Sequence, residues 1–396
     1  MLKKEIQQLA SEKQADWIEI RRFIHQNPEL SFQEYNTANF IKEKLISWGI
    51  DCRIIGGTGV VALLHGKNPQ KNVIALRADI DALPIKEENQ CNYVSKNEGV
   101  MHACGHDVHT TILLGTAFIL KQFSNEWEGT IKLIFQPGEE KNPGGASILI
   151  KEGVLENPKP ACILGLHVHP NLLVNHLSFR GGRVMASADE LYIDIKGTGG
   201  HAAAPQLTVD TIYVASTLIV ALQQIISRNN HALNPSILSI CSIQGGSTTN
   251  VIPQEVKLKG TFRALNEEWR KQGHTRIKEI CAGIASATNA VIDCHIDIGY
   301  PCVDNNEKLS KLAMDLAIDL HGQDHVSETE IRLGAEDFGY YTQQIPGCFY
   351  RLGVRSDAQQ TVRNVHTSTF NVDEQCLAVG VATMAFLAVN LVDKFK

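Results

Sequence analysis

Met101-His102-Ala103-Cys104-Gly105-His106-Asp107-Val108-His109 gathers one thiol, three imidazoles and a carboxylate into nine residues. A thiolate, neutral imidazoles and carboxylates together suit a borderline transition ion such as zinc, manganese, cobalt or nickel. Gly105 allows the backbone to bend so that Cys104 and His106 reach one point, and the helix that follows brings the free amides of its first turn beside them. Three more segments carry the same chemistry: Gln136-Pro137-Gly138-Glu139-Glu140, Leu166-His167-Val168-His169-Pro170 and Asn364-Val365-His366-Thr367-Ser368. Taken singly each has an ordinary explanation. A lone buried His is more often a hydrogen-bonded core residue, a Glu pair after Pro-Gly a solvated turn, and a lone Cys an inert thiol. Taken together, they offer more ligands than one catalytic ion needs while it keeps a position for water. Two ions sharing a bridging ligand, roughly 3.5–4 Å apart, fit better.

The elements around these residues would place them at strand ends. The first fifty residues read as two helices, separated at His25–Ser31, where Pro28 disfavours helix. Strand patterns follow at Val60–Leu64 and Val73–Leu76, a helix from about Val108 to Phe123, and strands at Ile131–Phe135 and Cys162–Leu166. Helices alternating with apolar strands predict an α/β layer with a mainly parallel sheet, whose strand ends are where ligands gather. From Gly181-Gly182 the order becomes strand (Ala188–Ile195), helix (Thr208–Ser227), strand (Ile237–Ile243), strand (Glu255–Phe262), helix (Glu267–Thr288), strand (Val291–Ile298). That is the pattern of a small α+β sandwich, a four-stranded sheet carrying two helices. The expected organisation is a catalytic domain over residues 1–181 and 299–396 with a domain inserted at 182–298.

Composition narrows the partners. The chain has 396 residues, 43% hydrophobic and 20% charged, with a net charge of −6. Two domains is the natural expectation at this length, and the charge offers nothing to nucleic acid or an anionic membrane. The amino-terminal segment MLKKEIQQLASEKQADWIEIRR lacks the apolar core of a secretory signal, and the apolar runs elsewhere read as too short or too interrupted to cross a bilayer. A cytoplasmic protein with its ten cysteines reduced is expected.

With these residues in view, the sequence resembles the metal-dependent aminoacylase and carboxypeptidase superfamily. The branch is that of hippurate hydrolases, plant auxin-conjugate hydrolases and bacterial N-acyl-amino-acid amidohydrolases. The resemblance runs through Arg22–Ser31, Arg77-Ala78-Asp79-Ile80-Asp81-Ala82-Leu83-Pro84, Met101–His109, Gln136–Glu140, Gly199–Pro205, Gly245–Pro253 and Gly334–Phe338. It implies a di-metal α/β catalytic domain with an inserted dimerisation domain, and metal ligands at Cys104, His106, Glu140, His167 and His366. It further implies Glu139 as general base and Asp81 as the carboxylate steering a ligand. In many relatives a ligand His stands where this chain has Asp79, so Asp79 is either a ligand or an ordinary strand-end residue. By the same resemblance His201 donates to the oxyanion from a partner subunit, and Asn250 and Arg263 bind the substrate carboxylate. The activity implied is hydrolysis of N-acyl-L-amino acids. A dipeptidase or carboxypeptidase on the same scaffold is the alternative enzyme, and a metal-binding protein without turnover the alternative outside enzymes.

Overall fold

The computed structural model describes residues 2–356 and 363–395. The chain opens with α1 (Leu2–Glu12), α2 (Gln14–Gln26), α3 (Tyr35–Ser47), β1 (Cys52–Ile55), β2 (Gly59–His65) and β3 (Val73–Asp79). It continues through α4 (His106–Gln122), β4 (Thr130–Gln136), α5 (Gly145–Lys151), β5 (Cys162–Leu173), β6 (Leu177–Phe179) and β7 (Gly182–Met185). Next come β8 (Asp189–Lys196), β9 (Gly200–His201), α6 (Thr211–Leu222), β10 (Ser236–Gln244), β11 (Val251–Ile252), β12 (Glu255–Ala264), α7 (Glu267–Thr288) and β13 (Val291–Ile298). The last stretch holds β14 (Val303–Asn305), α8 (Glu307–His321), β15 (Val326–Glu328), α9 (Gly339–Thr342), β16 (Gly347–Arg355) and α10 (Cys376–Lys394).

Two compact units result. The first comprises Met1–Gly182, Asp304–Glu330 and Asp337–Lys396, and the second Arg183–Val303 and Ile331–Glu336. The short return at Ile331–Glu336 carries no mark in the sequence pattern. It is held by main-chain bonds such as Arg332 N–H to Val184 O.

In the first unit an eight-stranded sheet has the order β1-β2-β4-β3-β5-β16-β6-β15. Its centre is parallel: β3 pairs in parallel with both β4 and β5, and β16 in parallel with β5. All seven positions of β4 are buried, as expected for a strand covered on both faces. The parallel register brings the carboxyl ends of β3 and β4 level, with Asp79 opposite Gln136, and the carboxylate-bearing turn follows directly.

Two sequence readings change here. The amino-terminal region forms three helices, not two. The apolar spacing of Ile6, Ala10, Trp17, Ile20 and Ile24 runs through the corner at Lys13 without a Gly or Pro to mark it. Trp17 Nε1 spans that corner, donating to Ala10 O at 3.0 Å. The apolar runs are also longer than expected: Thr211–Asn229 and Cys376–Lys394 are both long and apolar enough to cross a bilayer by length and composition. The second is mostly buried as the core helix α10, with Met384, Leu387 and Leu391 fully covered.

The second unit is an antiparallel four-stranded sheet, β10-β12-β8-β13. Along β8 every second residue, Leu191, Ile193 and Ile195, is buried, the period of a sheet with one covered face. These pack with Val214, Leu218 and Leu222 of α6 and with Ile277 and Ile280 of α7. Asn266 caps α7 by accepting from Trp269 N–H. A separate ladder pairs β9 with β11, Val251 opposite His201.

Candidate metal centre

The first unit gathers Cys104, His106, Glu139, Glu140, His167 and His366 from four loop and strand-end segments. Ligand-capable atoms of Cys104, His106 and His167 lie within 4.8 Å of one another, as do those of Cys104, Glu140 and His366, and those of His106, Glu139 and Glu140. Gly105 makes the first of these possible. It sits at φ 85° as the cap of α4, and a Cβ there would stand 2.5 Å from Val168 Cγ2. His366 also adopts a left-handed backbone, φ 63°, and its N–H donates to Ala103 O at 2.7 Å. Strain of this kind in a residue other than glycine persists where surrounding contacts impose it.

Two of the imidazoles, His106 and His167, are oriented by their outer nitrogens. His106 Nδ1 lies 2.9 Å from Asp81 O and 3.1 Å from Asp81 Oδ1, while its Nε2 is buried with no hydrogen-bond partner. His167 Nδ1 donates to Val168 O at 2.8 Å, which turns Nε2 toward Cys104 Sγ at 3.3 Å. His366 Nε2 lies 3.2 Å from Glu140 Oε1. Asp81 braces the group from outside: Oδ2 accepts from Ser31 Oγ at 2.7 Å and from Glu140 N–H at 2.9 Å.

The charge balance is lopsided. Burial would lower His106, yet Asp79, Asp81 and Glu140 outweigh it and raise its pKa to about 10. Burial pushes the Cys104 thiol well up, and the carboxylates of Glu140, Glu139 and Asp79 push it further. A buried, inward-facing imidazole nitrogen amid a thiol and several carboxylates is a donor set that a divalent cation satisfies. The residues fit two such ions.

Asp79 sits behind this group, its Oδ2 3.8 Å from His106 Nε2. Arg77 Nη1 donates to that oxygen at 2.7 Å, and His109 Nδ1 meets the other at 2.6 Å. The sequence reading placed His109 in the ligand-rich run Met101–His109 but gave it no role. The signal was present, because His106 and His109 are three apart on one helix and so share a face. It also missed the ion pair of Arg77 with Asp337, 2.8 Å long and spanning 260 positions of sequence.

The remaining expected residues lie in the second unit. His201 and Asn250 are exposed and lie close together at the end of the β9–β11 ladder, where Ala202 N–H donates to Asn250 O. Arg263, on β12, is half-buried, with Nε donating to Thr261 Oγ1 at 3.1 Å.

The sequence matches Peptidase family M20/M25/M40 over residues 75–390, and the chain belongs to that family. It is a metal-dependent amidohydrolase. The N-acetyl-L-cysteine deacetylase of Bacillus subtilis is 41% identical over 91% of this chain and 84% of its own length. The IAA-amino acid hydrolase ILR1-like 5 of Arabidopsis thaliana is 38% identical over 94% and 86%. Among solved structures, the YXEP protein of Bacillus subtilis, a dinuclear metal-binding peptidase of the M20 family, superposes with a TM-score of 0.83. It is 34% identical, over 97% of this chain and 99% of that one.

Proposed function

We propose that this chain hydrolyses the amide bond of N-acyl-L-amino acids, with an acetyl, benzoyl or similar acyl group. The observation that carries the reading is Glu139, a buried carboxylate whose oxygen lies within 4.8 Å of ligand-capable atoms of His106 and Glu140. A protein that only held metal would have no use for a further carboxylate at that point. Cys104, His106, Glu140, His167 and His366 would hold two ions of zinc, manganese, cobalt or nickel, which acidify water toward a pKa of about 7 and polarise the scissile carbonyl.

The protein side chains do the rest. Glu139 takes the proton from the attacking water and passes it to the leaving amine nitrogen. Asp81 keeps His106 in one orientation and so keeps its Nε2 available. His201, supplied across a homodimer, donates a hydrogen bond to the carbonyl oxygen as charge develops there. Asn250 and the planar fork of Arg263 receive the substrate carboxylate. The homodimer is supported by helix α6, whose Tyr213 and Val220 are 63% and 73% exposed on an apolar helix of the second unit. Free cysteines throughout the described residues support a reducing, cytoplasmic setting.

The test is a substrate panel on chelator-stripped protein restored with manganese, zinc, cobalt or nickel. N-acetyl and N-benzoyl amino acids should be cleaved in a metal-dependent way and matched free dipeptides slowly. Faster cleavage of the dipeptides would replace this reading with a peptidase.

A further inference from the structure

The parallel ladder between β3 and β5 stops at Arg77 opposite Gly165, although β5 runs on to Leu173. Beyond that point the main chain of β5 has lost its neighbour on the β3 side, just where His167 is carried. His109 takes the place of the missing strand. Val168 N–H donates to His109 Nε2 at 2.9 Å. A ring nitrogen that accepts there leaves the proton on Nδ1, which donates to Asp79 Oδ1 at 2.6 Å. Asp79 is in turn held by Arg77, and Arg77 Nε donates to Gln136 Oε1 at 2.9 Å. On the other side, the carbonyl of the same Val168 accepts from His167 Nδ1. An unbroken chain of hydrogen bonds therefore runs from Arg77 through Asp79, His109 and the Val168 main chain to the His167 ring, whose Nε2 faces Cys104.

We propose that His109, braced by Asp79, is a positioning residue that fixes the strand extension carrying His167, and that neither His109 nor Asp79 is itself a metal ligand. The inference rests on the ligand set proposed above. Asp79, His106 and His109 do bring ligand-capable atoms within 4.8 Å of one another. Both nitrogens of His109 are nevertheless already spent, one as acceptor and one as donor, and each oxygen of Asp79 already receives a hydrogen bond. Losing an outer partner of this kind commonly costs roughly 10–100-fold in metal affinity.

The experiment compares His109→Leu, His109→Gln and Asp79→Asn with the unmodified chain, using two readouts. Amide hydrogen exchange over Cys162–Leu173 is followed in metal-free protein, and cobalt stoichiometry, affinity and d–d absorption are followed by titration. His109→Leu should exchange faster in this segment, still bind two cobalt ions with unchanged band positions, and lose roughly 10–100-fold in affinity. His109→Gln, which keeps an acceptor for Val168 N–H, should recover much of both. Asp79→Asn covers the case in which the leucine variant does not fold, and should shift in the same direction. Unchanged exchange in the metal-free variants would overturn the proposal, as would loss of one cobalt equivalent with exchange unaltered, which is the mark of a direct ligand. A wild-type chain that takes up no cobalt would sink the ligand-set reading itself and the consequence drawn for His167. The exchange readout would then show separately whether His109 braces the strand.

Discussion

Asp81 Oδ2 accepts the main-chain N–H of Glu140 at 2.9 Å while its Oδ1 lies 3.1 Å from His106 Nδ1. One carboxylate thereby sets the position of a glutamate's backbone and the rotation of an imidazole 25 residues along the chain from it. Replacing Asp81 with Ala should free both. The expected result is a loss of roughly 10–100-fold in metal affinity, with the number of ions at saturation kept. Competition against a chelator of known affinity measures it.

Gly105 is the second sensitive point. Alanine there meets the Val168 side chain at 2.5 Å and must also hold φ 85°. The two costs together amount to about 2–5 kcal/mol. Gly105→Ala should therefore lower the denaturation midpoint of metal-free protein and weaken metal uptake, because Cys104 and His106 flank it. Calorimetry of the metal-free protein separates the first effect from the second.

The second unit has its own buried ion cluster. Asp189 accepts from Arg270 at 2.9 and 2.5 Å and meets His274 Nε2 at 2.7 Å. Burial alone would raise its carboxyl pKa, but the hydrogen bonds and charge of Arg270 and His274 hold it below the ordinary value. A carboxylate held low when folded and near 3.9 when unfolded gives its full stabilisation above about pH 4. That stabilisation is lost as pH falls through the folded-state value. Asp189→Asn should cost about 3 kcal/mol at neutral pH, since it removes the charge shared by Arg270 and His274 and leaves the buried Arg270 only the longer pairing with Glu267 at 3.2 Å, and should flatten the acid side of the stability curve. Chemical denaturation at pH 7 and below pH 4 reads both effects.

What the sequence revealed depended on how local the cause was. Helix α7 matched its expected span, Glu267–Thr288, because Asn266 caps it and the apolar spacing is regular. Strand β13 matched at Val291–Ile298 because an αL turn at Asn289 and a β-branched run bound it. The cluster residues stood out because Cys104-Gly105-His106 is dense in ligand types. Hidden were features made by long-range pairing. Strand β16, Gly347–Arg355, gains its place by lying between β5 and β6. The roles of Arg77 and Asp79 depend on Asp337 and His109, which sequence distance conceals. The left-handed backbone of His366 is fixed by tertiary contacts such as its N–H to Ala103 O, which the sequence does not display.

Glu139→Gln tests whether Glu139 moves the proton in metal-dependent amide hydrolysis. The substitution keeps size and hydrogen bonding but removes the base. Turnover of the best N-acyl amino acid should fall by roughly 10²–10⁴-fold, with metal content per chain equal to that of the unmodified protein. Hydrolysis at the original rate with full metal content would contradict the account.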